Sequence, residues 1–118
     1  MKNERTGLGR IINAFVFSMK GLKFCYQSEA AFRQELWLSA VLIPLAFWLG
    51  GASVDRVLLI VPIFLVLIVE VLNSAIESMV DRISDEYHVL SGAAKDMGSA
   101  AVWLSLMLLI ISWLIILI

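Results

Sequence analysis

The chain has 118 residues, of which 61% are hydrophobic and only 16% are charged. This balance excludes an ordinary soluble domain and indicates a single membrane domain. The formal net charge of −1 argues against general nucleic-acid binding, which favours a strongly basic face.

The first predicted element is an amphipathic helix over about residues 7–27. Apolar residues recur at helical spacing from Leu8 to Tyr26, with basic residues between them. This pattern is typical of a helix that lies in the membrane interface. No cleavable secretory signal is apparent, so we expect the N-terminus to persist. Cys25 is the only cysteine, and no Cys/His cluster has zinc-ligand spacing.

Three membrane-spanning helices follow, predicted over about residues 29–49, 53–83 and 91–118, and together with the first helix they give an all-α membrane fold. Each contains an apolar run that approaches or exceeds the roughly 20 residues needed to cross a hydrocarbon core. We predict that Ser28 is the N-cap of the first span and that Glu29 lies in its first turn, where the helix dipole favours a carboxylate.

The basic residues predict the orientation of the spans. The connection after the first span holds only Arg56. Six basic residues precede the apolar run of that span, which begins at Leu36: Lys2, Arg5, Arg10, Lys20, Lys23 and Arg33. By the positive-inside tendency, the N-terminus is cytoplasmic. Arg82 and Lys95 then lie on the same side, and the C-terminus lies on the far side.

The second span carries a polar stripe. Glu70, Asn73, Glu77 and Asp81 follow one another at steps of three or four residues, which keeps them on one side of a helix. An ionisable residue at membrane depth is costly and is expected to face a partner, water or a ligand. Glu70 lies after roughly 20–25 Å of helical rise, in the cytoplasmic third of the core. Glu77 lies about 10 Å nearer the cytoplasm.

The connection SDEYHVLSGAAKD leads into the third span, which we expect to begin at Ser91 or Gly92. Lys95 and Asp96 then lie in its first turns. A cation there is opposed by the helix dipole unless negative charge, such as a phosphate, sits nearby. The alternative is that these two residues simply mark the membrane interface, as polar residues at span ends often do. For His88, a solvated loop position is the default interpretation.

The cytoplasm-side polar groups suit phosphoryl transfer, which needs Mg²⁺ ligands, cations against the phosphates and a base for the acceptor hydroxyl. Glu29 and Glu77 are candidate metal ligands, Lys95 and Arg10 are candidate phosphate contacts, and Glu70 is the candidate base. No Walker A sequence and no protein-kinase glycine loop occurs. From spacing alone, an alternative function is also possible: a small proton-coupled transporter that uses Glu70 as its proton relay, because membrane carboxylates also serve such relays.

The stretches EAAFRQE (29–35), VEVLNSAIESMVDR (69–82) and EYHVLSGAAKDMGSAAV (86–102) resemble the small prokaryotic integral-membrane diacylglycerol kinase family. The resemblance covers nearly the whole chain. It implies a homotrimer with active sites shared between subunits, and MgATP-dependent phosphorylation of diacylglycerol to phosphatidate on the cytoplasmic face of the inner membrane. A sister branch phosphorylates undecaprenol with similar motifs. The sequence of residues 86–102 resembles the diacylglycerol branch more than this sister branch.

The resemblance also assigns roles to matching positions. It implies that Glu70 is the catalytic base and that Glu29 and Glu77 bind the metal as part of the nucleotide site. Phe17 occupies a place where family members carry tyrosine, so a hydroxyl contact is missing there. The implied nucleotide-binding set is Arg10, Phe17, Glu29, Asn73, Glu77, Glu86, His88, Lys95 and Asp96, and the implied lipid-binding set is Arg10, Glu70 and Ser99.

Overall fold

A computed structural model describes residues 7–83 and 88–118, and within these ranges the regular structure is entirely helical. The predicted all-α class is confirmed. The four helices are α1 (Leu8–Ser28), α2 (Ala30–Leu49), α3 (Ser53–Ile83) and α4 (Val89–Leu117).

Helices α2, α3 and α4 are each long and apolar enough to cross a membrane. At 1.5 Å rise per residue, the 31 residues of α3 extend for about 46 Å, which exceeds the roughly 30 Å hydrocarbon core. The surplus carries the end of α3 beyond membrane depth. Helix α3 also contacts both α2 and α4 extensively, and α1 more lightly, so it is the central helix of the chain.

Helix α1 is attached to the other helices mainly through its C-terminal end. Cys25 is its only buried residue, and the Cys25 thiol donates a hydrogen bond to Ser74 Oγ on α3 at 3.6 Å. From α2, Arg33 Nη1 donates to the backbone carbonyls of Tyr26 at 2.7 Å and Gln27 at 3.1 Å. These carbonyls belong to the last turn of α1, where a helix lacks donors of its own and a cation is favourable.

The junction between α1 and α2 differs from the prediction. Ser28 is the last residue of α1, and its hydroxyl donates to the carbonyl of Phe24 at 2.7 Å instead of capping α2. Glu29 itself occupies the N-cap position in extended backbone conformation, with no side-chain cap hydrogen bond. The predicted Ser28 cap is therefore wrong, because the serine hydroxyl is used within its own helix.

An apolar cluster joins α3 to α4. Ile63, Val66 and Leu109 form a buried apolar cluster with Trp113 packed against it. The Trp113 indole Nε1 donates to the backbone carbonyl of Leu59 at 3.0 Å. A buried indole N–H needs such a partner, so this bond sets the depth at which α4 lies beside α3.

Helix α4 begins at Val89, two residues before the predicted start at Ser91. The N-cap is His88, whose Nδ1 accepts a hydrogen bond from the backbone N–H of Leu90 at 3.0 Å. Sequence analysis did not anticipate this cap because histidine is not among the preferred N-cap residues.

Candidate active site

The polar stripe on α3 runs from buried to exposed as it rises toward the end of the helix. Glu70 is only 4% exposed and Asn73 is 7% exposed, whereas Glu77 is half-buried and Asp81 is exposed. The predicted side-by-side placement is also visible in the hydrogen bond from Asn73 Nδ2 to Glu77 Oε1, at 3.3 Å. One helix face therefore joins a carboxyl group inside the protein to carboxyl groups that water reaches.

A close approach of α4 positions Asn73. Gly98 is buried on α4, and a methyl group in place of its hydrogen would overlap Asn73 Oδ1 and lie 3.2 Å from Asn73 Cγ. The absence of a side chain at Gly98 thus makes the space that Asn73 occupies. Asn73 Oδ1 is buried and has no hydrogen-bond partner within residues 7–83 and 88–118. A buried amide oxygen of this kind is an acceptor for an incoming group.

Three further carboxyl groups surround Glu70. Glu35 on α2, Glu29 at the N-cap of α2 and Glu77 on α3 all lie near Glu70. Glu35 Oε2 is buried without a partner in the described part of the chain. Carboxyl groups from α2 and α3 are therefore near one another where the apolar part of α3 ends.

These donors fit a magnesium ion that arrives with a nucleotide. Mg²⁺ usually takes one or two protein carboxylates and completes its shell with phosphate oxygens and water. Glu29 and Glu77 are both half-buried, so water and phosphate can reach them. No group of three or more His, Cys, Asp or Glu residues that could by itself hold a metal ion occurs among the described residues. Glu29 and Glu77 could supply only part of the ligand shell of such an ion, and phosphate and water would have to supply the rest.

Lys95 lies on the side of α4 that faces α3. Its Nζ is 2.6 Å from Asp81 Oδ1 in an ion pair whose side chains are 44% and 65% exposed. The lysine thus reaches the water-side end of the polar stripe, next to Glu77, which also attracts its charge.

The remaining predicted residues that the structure describes lie on α1 and in the first turns of α4. Asp96 and Ser99 are exposed, since each lies about 100° around the helix from Lys95 or Gly98, which face α3. Arg10 is exposed and Phe17 is half-buried on α1. His88 caps α4, and Glu86 lies outside the described residues.

Two residues of this site were missed by sequence reasoning, Glu35 and Gly98. A signal for Glu35 was present, because it lies within four residues of Phe32 and Ser39, both buried on α2. A carboxyl group on the buried side of an apolar helix is itself a candidate site residue. For Gly98, only the contact across to α3 reveals the role, and a single-helix pattern does not contain it.

Comparison with known proteins gives one consistent result. The sequence profile of the family "Prokaryotic diacylglycerol kinase" matches residues 16–117. The chain is 52% identical over 117 residues to a diacylglycerol kinase of Escherichia coli (strain K12), covering 99% of this chain and 96% of the relative. It is 50% identical over 109 residues to that of Pseudomonas aeruginosa, covering 92% and 89%. For that of Haemophilus influenzae the identity is 47% over 110 residues, covering 93% of each.

Proposed function

Because the chain belongs to the prokaryotic diacylglycerol kinase family, we propose that it transfers the γ-phosphate of MgATP directly to the hydroxyl of 1,2-diacylglycerol. The product is phosphatidate. Members of this family are membrane lipid kinases that use ATP. The observation that carries this proposal is the burial of Glu70 in the apolar part of α3, directly below Asn73 and Glu77 on the same face. A soluble acceptor has little access to that depth, whereas a lipid hydroxyl just below the headgroups reaches it.

In this mechanism Glu70 accepts the proton of the lipid hydroxyl as the oxygen attacks the γ-phosphorus. A positioned base of this kind contributes about 10²–10⁴-fold to a rate. The buried Asn73 amide and the Lys95 ammonium orient the phosphates, since Asn73 lies on the stripe above Glu70 and Lys95 reaches the exposed end of the stripe from α4. Glu29 and Glu77 would hold Mg²⁺, which neutralises phosphate charge when bound.

The proposal includes a homotrimer with shared sites. Asp96 and Ser99 lie at a span end, yet one chain leaves both exposed. Polar residues in spanning helices generally face a bundle interior or a water-filled cavity. Contact with a neighbouring copy would bring them to a site whose Glu70 belongs to another subunit. Arg10, Phe17, Glu86 and His88 complete the proposed nucleotide site near the membrane surface.

We place this site on the cytoplasmic side of the inner membrane. Six basic residues precede the apolar run of the first span, which begins at Leu36, and only Arg56 follows the span on the far side, which favours a cytoplasmic N-terminus. The end of α3 that carries Glu77 and Asp81 lies on the same side as the N-terminus, because α2 and α3 are consecutive spans.

Transfer of labelled γ-phosphate tests the proposal. The purified protein in mixed micelles is given MgATP with diacylglycerol or with undecaprenol, side by side. We expect labelled phosphatidate and little labelled undecaprenyl phosphate. Transfer to undecaprenol alone would assign the sister activity, and no transfer to either lipid would refute a lipid kinase and leave the proton-coupled transporter.

The variant Glu70→Gln tests the base within the same assay. The amide keeps the shape of the side chain but accepts a proton far less readily, so the variant should fold and associate normally while turnover falls by at least about 10²-fold. Near-normal turnover of this variant would remove Glu70 from the role of base.

A further inference from the structure

Asp81 has no role in the transfer described above, and its position is not explained by its own helix. It lies two residues before Ile83, the last residue of α3. A carboxylate in the last turn of a helix is opposed by the helix dipole, which favours a cation there. A favourable contact for this carboxylate is therefore expected from another helix.

That contact comes from α4. Asp81 Oδ1 lies 2.6 Å from Lys95 Nζ in a close ion pair. Lys95 is in the second turn of α4, which begins at Val89. The carboxylate therefore offsets the charge of the ammonium group at the end of the polar stripe that meets water.

The ion pair adds little to the packing of α3 against α4. The side chains of Lys95 and Asp81 are 44% and 65% exposed, and exposed ion pairs contribute little to stability because water and salt compete with them. The two helices also share the buried apolar cluster of Ile63, Val66 and Leu109, which does not depend on the pair. The main effect of Asp81 is therefore on the charge of Lys95.

A nucleotide phosphate and Asp81 need the same ammonium group. Under the proposed function Lys95 binds phosphate, yet Asp81 Oδ1 already contacts its Nζ. A phosphate oxygen that binds beside Asp81 is repelled by the carboxylate, whereas one that displaces Asp81 has to break the ion pair. Either route lowers the affinity of the site for nucleotide.

We propose that Asp81 is a positioning residue that acts through Lys95: it holds the ammonium group toward α3 in the free enzyme and competes with the nucleotide phosphates for it, which limits nucleotide affinity. This inference rests on the proposed function, in which Lys95 binds phosphate. It adds that a carboxylate outside the reacting groups restrains that binding.

Six proteins test this role: the wild type, Asp81→Asn, Asp81→Glu, Lys95→Met, the double variant Asp81→Asn with Lys95→Met, and Asp55→Asn. Asp55 lies in the first turn at the opposite end of α3, so its amide variant controls for the loss of a carboxylate from the same helix. Titration calorimetry in micelles gives the Kd for the magnesium complex of an ATP analogue with a methylene group between its β and γ phosphorus atoms. The transfer assay gives kcat and KM for MgATP.

Asp81→Asn removes the competing charge, so Kd for the analogue and KM for MgATP should both fall about 2- to 5-fold at low salt, the range of an exposed ion pair. Its kcat should stay within about 2-fold of the wild type, since the change is in binding. Asp81→Glu keeps the carboxylate and should restore the wild-type Kd, and Asp55→Asn should match the wild type. The difference between the wild type and Asp81→Asn should shrink at about 0.5 M salt, because salt screens exposed charges.

The Lys95→Met background shows whether the effect passes through Lys95. No ammonium group is left there to compete for, so adding Asp81→Asn should change Kd by less than about 1.5-fold. If Lys95→Met binds the analogue too weakly for a titration, the Asp81→Glu variant and the salt dependence decide in its place.

A nuclear magnetic resonance measurement checks the ion pair without nucleotide or lipid. The chain has four lysines, Lys2, Lys20, Lys23 and Lys95, so lysine labelled with ¹³C at Cε gives few signals. The Lys95 signal is the one that Lys95→Met loses. It should shift in Asp81→Asn and stay in place in Asp55→Asn.

An unchanged or larger Kd in Asp81→Asn would overturn the competition, since a merely structural contact would weaken binding when it is lost. The same decrease of Kd with and without Lys95 would overturn the route through Lys95, and an unmoved Lys95 signal in Asp81→Asn would overturn the ion pair. If none of the six proteins binds the analogue, the proposed function is refuted and the competition with it, a result distinct from binding that Asp81→Asn leaves unaltered.

Discussion

Replacement of Gly98 by alanine should damage the active site without unfolding the protein. The added methyl group would overlap Asn73 Oδ1 and lie 3.2 Å from Asn73 Cγ and 3.9 Å from its Cβ. The first contact is too close to persist, so the Asn73 side chain must rotate. Rotation removes the amide from its present bond to Glu77 Oε1 and from its position above Glu70.

Two opposing terms decide the stability of this variant. Alanine is favoured over glycine inside a helix by about 1 kcal/mol. Overpacking of a close contact costs about 1–3 kcal/mol, and the far end of a side chain is cheaper to move than backbone. The net change should therefore lie between about 0 and 2 kcal/mol of destabilisation. The kinase rate should fall much more, by about 10-fold or greater, because displacement of a positioning group by about 1 Å can cost about 10²-fold.

Gly21→Ala is the matched control. Gly21 lies inside α1, and a methyl group added there has no neighbouring atom within 4 Å. It should therefore show the helix-propensity gain without the steric cost. Thermal unfolding of both variants in the same detergent, together with the phosphate-transfer assay, measures the two effects separately.

The reasoning is refuted if Gly98→Ala is stabilised as much as Gly21→Ala and retains wild-type turnover. A double variant sharpens the conclusion, because Asn73→Ala removes the side chain that the methyl group meets. In that background Gly98→Ala should become neutral or stabilising. A destabilisation of the same size in both backgrounds would show that the clash is not with Asn73.

Three further predictions concern separate parts of the chain. Glu77→Gln should raise the Mg²⁺ concentration needed for half-maximal transfer, and an unchanged metal dependence would leave Glu77 with only its structural bond to Asn73. Trp113→Phe keeps a packed ring but loses the hydrogen bond to the Leu59 carbonyl, so thermal unfolding should show that the free energy of unfolding falls by about 0.5–1.5 kcal/mol. Equal stability of the variant and the wild type would show that this hydrogen bond adds nothing. Burial raises the pKa of the Cys25 thiol, so a thiolate-selective reagent should modify folded protein slowly at neutral pH and faster as pH rises. Equal labelling of native and SDS-unfolded protein would contradict that burial.

The helices and the polar stripe could be predicted from the sequence because both depend on features local to one helix. Apolar length determines that a segment spans, and steps of three or four residues place Glu70, Asn73 and Glu77 on one face. Their increasing exposure also follows from depth, since α3 is longer than the membrane core. These inferences needed no knowledge of neighbouring helices.

Contacts between helices could not be predicted in the same way. The period of a helix shows which residues share a face but not which face of the next helix lies opposite. Three contacts depend on this rotation: the proximity of Glu35 to Glu70, the fit of Asn73 against Gly98 and the ion pair of Lys95 with Asp81. The Ser28 cap failed for a related reason, because the hydroxyl had a competing acceptor one turn back.

The ion pair of Lys95 with Asp81 bears on how the site admits a nucleotide. Both side chains are substantially exposed, and exposed ion pairs are weakly held because water and salt compete with them. A phosphate group carries more negative charge than a carboxylate and offers more acceptor oxygens. Lys95 should therefore transfer from Asp81 to phosphate when a nucleotide binds, while Asp81 remains solvated at little cost. Glu70 and Asn73 are buried and less free to rearrange, so under the proposed function the stripe would combine a fixed end for the reacting lipid with an exchangeable end for the nucleotide.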